Sequence, residues 1–477
     1  MEVIILIILI TSLLTMILFG ILSFSIMGLW LSELGLWFSW IPIGLIIGSI
    51  VCMIEFANRA DFILNLGLLI VSVIMNIFTL SRLFYPIIKY QKTNKKLERE
   101  MKSCLGEKYL EEINPSLQTK FYKKAQFKIS QCFIPLRGYF SKSQIKIEKN
   151  LIYHSLNDEA LKLDVYYPDQ SGTFPTIVFV HGGAWVVGSK DELRHQRISK
   201  MLANLGYVVF TINYRLISPL KRLEKQSTVN GDLKSMLRKL DGRSEISDKF
   251  LEPLKQLENQ ITKPATSFED LVLDVKKAIQ FAKKHTEAFN GDPEHFFLFG
   301  RSAGAHLVLL TTLAECSKEQ PFDDIKTTNI LTKIKRLIRP KSYISGVIGF
   351  YPVTDLESLY NFYQENSPLR KVVLKIILGG TPDEKPQIFQ KYSPIEYLSE
   401  KNAQNIPPIF LVTGKKDKIV TPKQSELFFE QARKQDICSV LLELPWANHA
   451  FDTIINGPGG QLVYKYLSQF LAWVISK

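Results

Sequence analysis

The sequence predicts an α/β fold, a mostly parallel sheet with helices on both faces, preceded by an all-α transmembrane region. Charged residues are almost absent from the first 90 positions of the 477-residue chain. Beyond residue 151, short apolar strand-like runs alternate with helix-like segments, which is typical of a parallel sheet covered on both faces. We therefore expect three parts: a transmembrane region over 1–90, a charged juxtamembrane linker over 91–150, and an α/β domain over 151–477.

The transmembrane prediction depends on three runs without charge: between Glu2 and Glu33, between Glu33 and Glu55, and between Asp61 and Arg82. Each run is long enough to cross a hydrocarbon layer of roughly 30 Å, which takes about 20 apolar residues. A secretory signal peptide would need a basic start and a cleavage site, which are missing here. Three such runs are rare in a buried helical hairpin, so about three transmembrane helices are expected.

The positive charge of the chain favours a membrane over a nucleic acid as its partner. The formal net charge is +13, yet no zinc-finger, helix-turn-helix or aromatic-and-basic motif accompanies it. Basic residues instead follow the apolar region directly: Arg82, Lys89, Lys92, Lys95, Lys96, Arg99 and Lys102. Because basic loops stay in the cytoplasm, this cluster predicts an integral membrane protein whose α/β domain is cytoplasmic.

Seven strands are expected in the α/β domain: Lys162–Tyr166, Thr176–Val180, Tyr207–Ile212, Phe296–Phe299, Ser345–Phe350, Ile409–Thr413 and Val440–Leu444. A helix with one apolar face begins at Phe268, and Ser267 with Asp270 predicts a capping box before it. Residues 219–264 are dense in Lys, Glu, Gln and Asp and interrupt the alternation. They are expected to form an insertion, either a solvated excursion, a lid or a flap on the membrane surface.

The run Gly300-Arg301-Ser302-Ala303-Gly304 lies between the apolar stretch His295–Phe299 and the helix-like stretch Ala305–Ala314. In this context G-x-S-x-G predicts a strand that turns sharply into a helix and exposes the serine at the turn. Glycines on both sides are needed because side chains would collide across so tight a turn. Ser302 is therefore the predicted nucleophile.

A serine nucleophile needs a histidine base, held in the correct tautomer by a carboxylate. The expected chain order is serine, acid, histidine. His449 follows the last predicted strand and, apart from His306 on the nucleophile helix, is the histidine that remains after Ser302. Asp417 lies at a turn beyond strand Ile409–Thr413 and is the predicted acid. Weaker alternatives for the acid are Asp355, Glu443 and Asp452.

Attack on a carbonyl creates negative charge on its oxygen, which needs N–H donors already in place. The run His181-Gly182-Gly183-Ala184-Trp185 follows strand Thr176–Val180, upstream of the serine motif. The paired glycines allow the backbone to turn its amides toward the site. We predict an oxyanion hole formed by the N–H groups of Gly182, Gly183 and Ala303.

Together these motifs resemble the α/β-hydrolase fold, in the esterase and lipase branch that includes hormone-sensitive lipase. The resemblance covers roughly residues 150–216 and 266–475. Within that branch, the stretch from Ser302 to His306 is similar to prenylcysteine methylesterases and kynurenine formamidase-like carboxylesterases. The resemblance implies Ser302 as nucleophile, His449 as base and then acid, and Asp417 as the residue that orients the histidine. Arg301 departs from the branch, which usually has Asp there.

The sequence thus predicts a membrane-anchored serine hydrolase that cleaves a small-molecule or lipid-like carboxylic ester through an acyl-enzyme. Three alternatives remain open: an amidase or formamidase with the same triad, acyl transfer to an acceptor other than water, and a non-catalytic receptor or scaffold. No cofactor or metal is expected, since the histidines and cysteines show no ligand spacing.

Overall fold

The computed structural model describes residues 2–21, 28–55, 57, 62–117, 127–133, 144–156, 159–219, 266–317 and 343–477. Apart from residue 219, the predicted insertion over 219–264 lies outside them. The chain divides into two compact units. The first comprises 1–142, 412–422 and 440–477, and the second comprises 143–411 and 423–439.

Eight strands form one sheet in the order β1-β2-β4-β3-β5-β6-β7-β8. They are β1 Ile145–Leu156, β2 Glu159–Pro168, β3 Phe174–Val180, β4 Val208–Ile212, β5 Gly291–Arg301, β6 Gly346–Phe350, β7 Ile409–Gly414 and β8 Ser439–Leu444. All seven predicted strands are observed. Strand β1 was not predicted, and it begins six residues before the expected start of the α/β domain at 151. Its mixed polar sequence explains this, because most of its residues are exposed or half-buried.

The centre of the sheet is parallel. Strand β3 pairs in parallel with both β4 and β5, and β5 pairs in parallel with β6. Strands β1 and β2 are antiparallel to each other, and β2 is antiparallel to β4. Strands β3, β4 and β6 are buried along their whole length, as expected where helices cover both faces. The mostly parallel sheet confirms the α/β-hydrolase fold expected from the sequence.

The helices of the second unit follow the strands along the chain. Helices are numbered in chain order. Because α1 to α6, described below, precede them in the chain, these helices are α7 to α14. They are α7 Leu193–Asn204, α8 Phe268–His285, α9 Ala303–Cys316, α10 Leu356–Asn366, α11 Pro368–Leu378, α12 Pro386–Lys391, α13 Glu400–Ala403 and α14 Lys423–Lys434.

Helix α8 begins with the capping box that the sequence predicts. The Ser267 hydroxyl accepts the Asp270 N–H at 3.1 Å, and the Asp270 carboxylate accepts the Ser267 N–H at 2.7 Å. Two of the N–H groups that a helix start leaves without intrahelical partners are thereby satisfied. The apolar face of α8, which includes Leu271, Val275 and Ile279, is fully buried.

The helices of the first unit are α1 Glu2–Thr15, α2 Gly28–Phe38, α3 Trp40–Glu55, α4 Phe62–Leu105, α5 Pro115–Leu117, α6 Ile129–Phe133 and, near the C-terminus, α15 Pro458–Ile475. Two stretches, Glu33–Glu55 and Asn65–Leu105, are long and apolar enough to cross a membrane. A third apolar helix, Val3–Phe19, is shorter than they are. These are candidate spans by length and composition, two of full length where the sequence predicts about three.

Polar side chains join the apolar helices to one another. The Ser72 hydroxyl on α4 lies 2.7 Å from that of Ser12 on α1 and 3.2 Å from that of Ser49 on α3. Asn76 donates to the Ser12 hydroxyl at 2.8 Å. All four side chains are buried. Such bonds between small polar residues are a usual means of holding membrane helices together.

Part of the predicted linker is helical and packed. Helix α4 continues through residues 91–105 and contacts α15, where the Tyr466 hydroxyl donates to the Asn94 carbonyl at 2.8 Å. The Tyr109 hydroxyl donates to Gln469 on the same helix at 2.8 Å. Tyr109 and Leu97 are almost completely buried. The charges in this segment lie mainly between its buried positions, so composition alone suggested a charged juxtamembrane linker with some helix.

We expect Ser267→Ala to destabilise the protein by about 1 kcal/mol, because the Asp270 N–H loses its acceptor. Ser267→Asn, which restores a capping oxygen, should stay close to the wild type. Thermal unfolding of the detergent-solubilised chain measures the difference as a shift on the order of 2–4 °C in Tm. Equal midpoints for the alanine and asparagine variants would contradict the role of this cap.

Candidate active site

Ser302 lies at the turn between β5 and α9, as the sequence predicts. Its φ of 52° and ψ of −120° fall in a region that residues with a side chain rarely adopt. Such a conformation costs on the order of 1–3 kcal/mol and persists only where the surrounding structure holds it. The Ser302 N–H donates to the Phe350 carbonyl of β6 at 2.9 Å, and its own carbonyl accepts the His306 N–H at 3.0 Å.

The two glycines of the motif allow the close approach that this turn requires. A Cβ at Gly304 would lie 2.5 Å from the His181 carbonyl oxygen and 2.7 Å from the Val180 carbonyl carbon. A Cβ at Gly300 would lie 2.5 Å from the Ala305 nitrogen. Real side chains are not found at such distances. The start of α9 can therefore lie against the end of β3 because residue 304 is glycine, and can fold back onto the end of β5 because residue 300 is glycine.

The predicted oxyanion loop lies against the same turn. A Cβ on Gly182 would be 2.8 Å from the Arg301 carbonyl oxygen and 3.2 Å from Ser302 Cβ, so the two backbones are in contact there. The next three residues all have positive φ, which is 138° at Gly183, 51° at Ala184 and 64° at Trp185. Ala303, the third predicted donor, is the first residue of α9. The structure thus brings Gly182, Gly183 and Ala303 together with Ser302.

Hydrogen bonds hold the predicted oxyanion loop in this conformation. The N–H groups of Val186 and Val187 donate to the Gly183 carbonyl at 3.1 and 3.0 Å. The Tyr214 hydroxyl donates to the His181 carbonyl at 3.0 Å, and the two rings stack. Tyr214, which follows β4 closely, therefore supports this loop through its hydroxyl and its ring.

His306 supports this loop in a way that sequence reasoning missed. The Trp185 indole Nε1 donates to His306 Nδ1 at 3.3 Å, and His306 Nε2 lies 2.7 Å from the Tyr392 carbonyl oxygen. A carbonyl only accepts, so the His306 proton is on Nε2. Burial lowers the pKa of His306 to about 4, so the ring is neutral at pH 7. In the sequence, His306 could be noticed only as the last residue of the stretch Ser302–His306. Nothing in that stretch predicts which residues its side chain contacts.

Asp417 and His449 form a buried pair. His449 Nδ1 lies 2.7 Å from Asp417 Oδ2. The other oxygen, Oδ1, accepts the N–H groups of Ile419 at 2.8 Å and Val420 at 2.9 Å. These bonds fix the carboxylate, and the carboxylate fixes a proton on Nδ1, which leaves Nε2 as the nitrogen that can accept one.

The three alternative acids have other surroundings. The Asp355 carboxylate caps helix α10 by accepting the Ser358 N–H at 3.0 Å. Glu443 lies on β8, where Lys96 donates to it at 2.7 Å and Lys415 also pairs with it. Asp452 is buried in the single turn that follows His449. The observed contact with His449 favours Asp417.

The predicted residues occur as two groups. Ser302, Gly182, Gly183 and Ala303 belong to the second compact unit, whereas Asp417 and His449 belong to the first. No group of three or more His, Cys, Asp and Glu side chains suited to a metal ion occurs in the described part of the chain. The group in the second unit has a strained serine beside a glycine loop, and the group in the first unit has a histidine that contacts a carboxylate.

Known proteins that this chain resembles include esterases. The solved structure of esterase B from Lactobacillus rhamnosis superimposes with a TM-score of 0.45 at 17% identity, over 72% of this chain and 90% of that one. A probable isoprenylcysteine alpha-carbonyl methylesterase of Oryza sativa is 26% identical over 56% of this chain and 49% of its own. The probable carboxylic ester hydrolase LipM of Mycobacterium tuberculosis is 26% identical over 64% and 56%.

The chain spans about half the length of these curated relatives. The family model described as BD-FAE matches residues 163–238 and 257–432, which include the predicted oxyanion loop, Ser302 and Asp417. The matched segments make up more than half of the chain. On this match, the protein is a member of the BD-FAE family.

Proposed function

We propose that this protein is a membrane-anchored hydrolase of carboxylic esters, with Ser302, His449 and Asp417 as its catalytic triad. The conformation of Ser302 is the observation that carries the proposal. A serine with a φ of 52° between a buried strand and a helix is strained, and that strain is typical of a nucleophile elbow. The Asp417–His449 hydrogen bond and the chain order of the three residues support the same assignment.

In the proposed reaction, Ser302 Oγ attacks the ester carbonyl carbon while His449 Nε2 accepts the hydroxyl proton. The N–H groups of Gly182, Gly183 and Ala303 stabilise the oxyanion of the tetrahedral intermediate. Collapse of the intermediate expels the alcohol, which takes the proton from His449 and leaves an acyl-enzyme. Water, deprotonated by His449, then attacks the acyl carbon. The bond to Ser302 Oγ breaks, the acid leaves, and His449 returns the proton to Ser302 Oγ. Asp417 keeps the imidazole oriented and stabilises its charged form throughout.

An amphiphilic ester is the substrate class that we propose. An active site anchored beside a bilayer meets molecules that partition into the bilayer, and the candidate spans of the first unit support such anchoring. Relatives from Oryza sativa and Arabidopsis thaliana carry the name isoprenylcysteine alpha-carbonyl methylesterase. A prenylcysteine methyl ester is therefore the first substrate to test, beside simple esters of increasing acyl length and the matching amides.

Ser302→Ala should abolish both ester hydrolysis and labelling by a fluorophosphonate probe, because the attacking hydroxyl is removed. Labelling of the detergent-solubilised protein, followed on a gel, measures this directly. Ser358→Ala, a half-buried serine on helix α10, is the matched control and should label like the wild type. Retained labelling or turnover in Ser302→Ala would assign the nucleophile to a different residue.

Asp417→Asn should reduce kcat by about 10⁴-fold, because an amide no longer holds the imidazole in the reactive tautomer. Steady-state kinetics with a short-chain ester measure this loss. Asp355→Asn is a matched control: asparagine caps a helix as well as aspartate does, so activity should stay within a few fold of the wild type. A large loss in Asp355→Asn with little loss in Asp417→Asn would exchange the roles of the two carboxylates.

The membrane orientation follows from the basic cluster after Ser81, which should hold the C-terminal part of the chain in the cytoplasm. With three spans, a glycosylation acceptor placed before Met1 should be modified during translation with microsomes. The same acceptor placed after Lys477 should remain unmodified. Modification at both ends would indicate an even number of spans, and modification at the C-terminal end alone would reverse the orientation.

A further inference from the structure

Glu33 is the acidic residue that separates the first two charge-free runs of the sequence. It lies on α2, and its side chain is completely buried. A carboxylate in so apolar a region is costly unless it is paired or hydrogen-bonded. Its contacts therefore indicate what it contributes to the protein.

The partners of Glu33 lie near the C-terminus of the chain, within the same compact unit. The Trp446 indole Nε1 donates to Glu33 Oε1 at 3.1 Å. The Gly459 N–H, in the first turn of α15, donates to Oε2 at 2.8 Å. One carboxyl group thereby accepts an indole N–H from the loop after β8 and an N–H without an intrahelical partner from the first turn of α15.

The chain around these donors is shaped to admit the carboxylate. A Cβ on Gly459 would lie 2.6 Å from Glu33 Oε1, and one on Gly457 would lie 2.9 Å from Glu33 Cβ. Neither glycine has a positive φ, so no turn requires them. Their absent side chains leave the space that Glu33 occupies.

Trp446 is connected to His449 through the backbone. The residue after Trp446, Ala447, accepts the Lys416 N–H at 3.0 Å, and its carbonyl lies against Gly414. Lys416 directly precedes Asp417, which bonds His449 at 2.7 Å. Hydrogen bonds therefore connect two loops, one from Trp446 to His449 and one from Gly414 to Asp417. Glu33 on α2 contacts this assembly by accepting the Trp446 indole N–H.

We propose that Glu33 is a positioning residue for the reaction: by holding Trp446, it fixes the loop that presents His449 to the nucleophile. The inference rests on the proposed function, since it requires His449 to be the base for Ser302. It gives α2 a part in the reaction besides any role in anchoring. Misplacement of a catalytic group by about 1 Å can slow a reaction by about 10²-fold, so loosening this loop should be measurable.

The test compares the rate of fluorophosphonate labelling and the kcat of ester hydrolysis in full-length Glu33→Gln, Trp446→Phe and the double variant. Trp446→Phe keeps an aromatic ring but removes the donor. Glu112→Gln is the matched control, since Glu112 also accepts an indole N–H, from Trp473, and pairs with Lys477, but neither partner belongs to these loops. Each variant is assayed at least 15 °C below its own Tm, so that only folded protein is compared.

We expect Glu33→Gln and Trp446→Phe each to lower the labelling rate and kcat by about 10- to 100-fold with little change in KM. Glutamine at 33 leaves one acceptor oxygen for the two N–H donors, and phenylalanine at 446 removes one of those donors. The double variant should be no slower than the slower single one, since both changes act on the same set of contacts. Glu112→Gln should label normally. Normal labelling rates in folded Glu33→Gln and Trp446→Phe would reduce Glu33 to a stabilising residue and overturn the inference. Failure of the wild type to label at Ser302 would instead overturn the proposed function.

Discussion

The turn at Ser302 places the end of β5, the end of β3 and the start of α9 closer together than side chains would allow. Gly300 and Gly304 have no side-chain atoms that could collide there. The hydrogen bond from the Ser302 N–H to the Phe350 carbonyl holds the strained serine against β6. Once α9 starts against β3, the residues that leave β3 must pass over the same turn, which brings Gly182 into contact with Ser302. The arrangement proposed for the oxyanion hole is in this sense a consequence of one tight turn.

Buried aromatic and histidine side chains around that turn have supporting rather than reactive roles. His181 stacks on Tyr214, and His306 receives the Trp185 indole N–H while facing the Tyr392 carbonyl. Burial lowers the pKa of both histidines to about 4, because an imidazolium would lose its hydration there. Uncharged rings can pack against the predicted oxyanion loop without burying an unpaired positive charge. His449 differs in that its Nδ1 contacts a carboxylate.

The sequence predicted those features that local pattern determines. Strand-like runs marked the seven strands from β2 to β8, the glycine spacing marked the turn at Ser302, and chain order led to the predictions of Asp417 and His449. Strand β1 was missed because its exposed residues show no apolar run, and the packing of residues 91–105 was missed because charges obscure its buried positions. The contacts of His306 with Trp185 and of Glu33 with Trp446 join residues far apart in sequence. Such contacts depend on the tertiary structure, and the spacing of residues along the sequence does not predict them.

Glu33 is interpreted differently in the sequence and in the folded chain. In the sequence it divides two apolar runs and so marks the end of a possible membrane span. In the folded chain it is buried and accepts hydrogen bonds from Trp446 and Gly459. A carboxylate that only marked a membrane boundary would gain most by facing water, where its hydration is retained. Burial is tolerable because the fold supplies N–H donors in place of water, and glycines at 457 and 459 leave room for it. Specific polar contacts thus join the apolar N-terminal region to the segment that carries His449. A region that served only as a membrane anchor would not need such contacts.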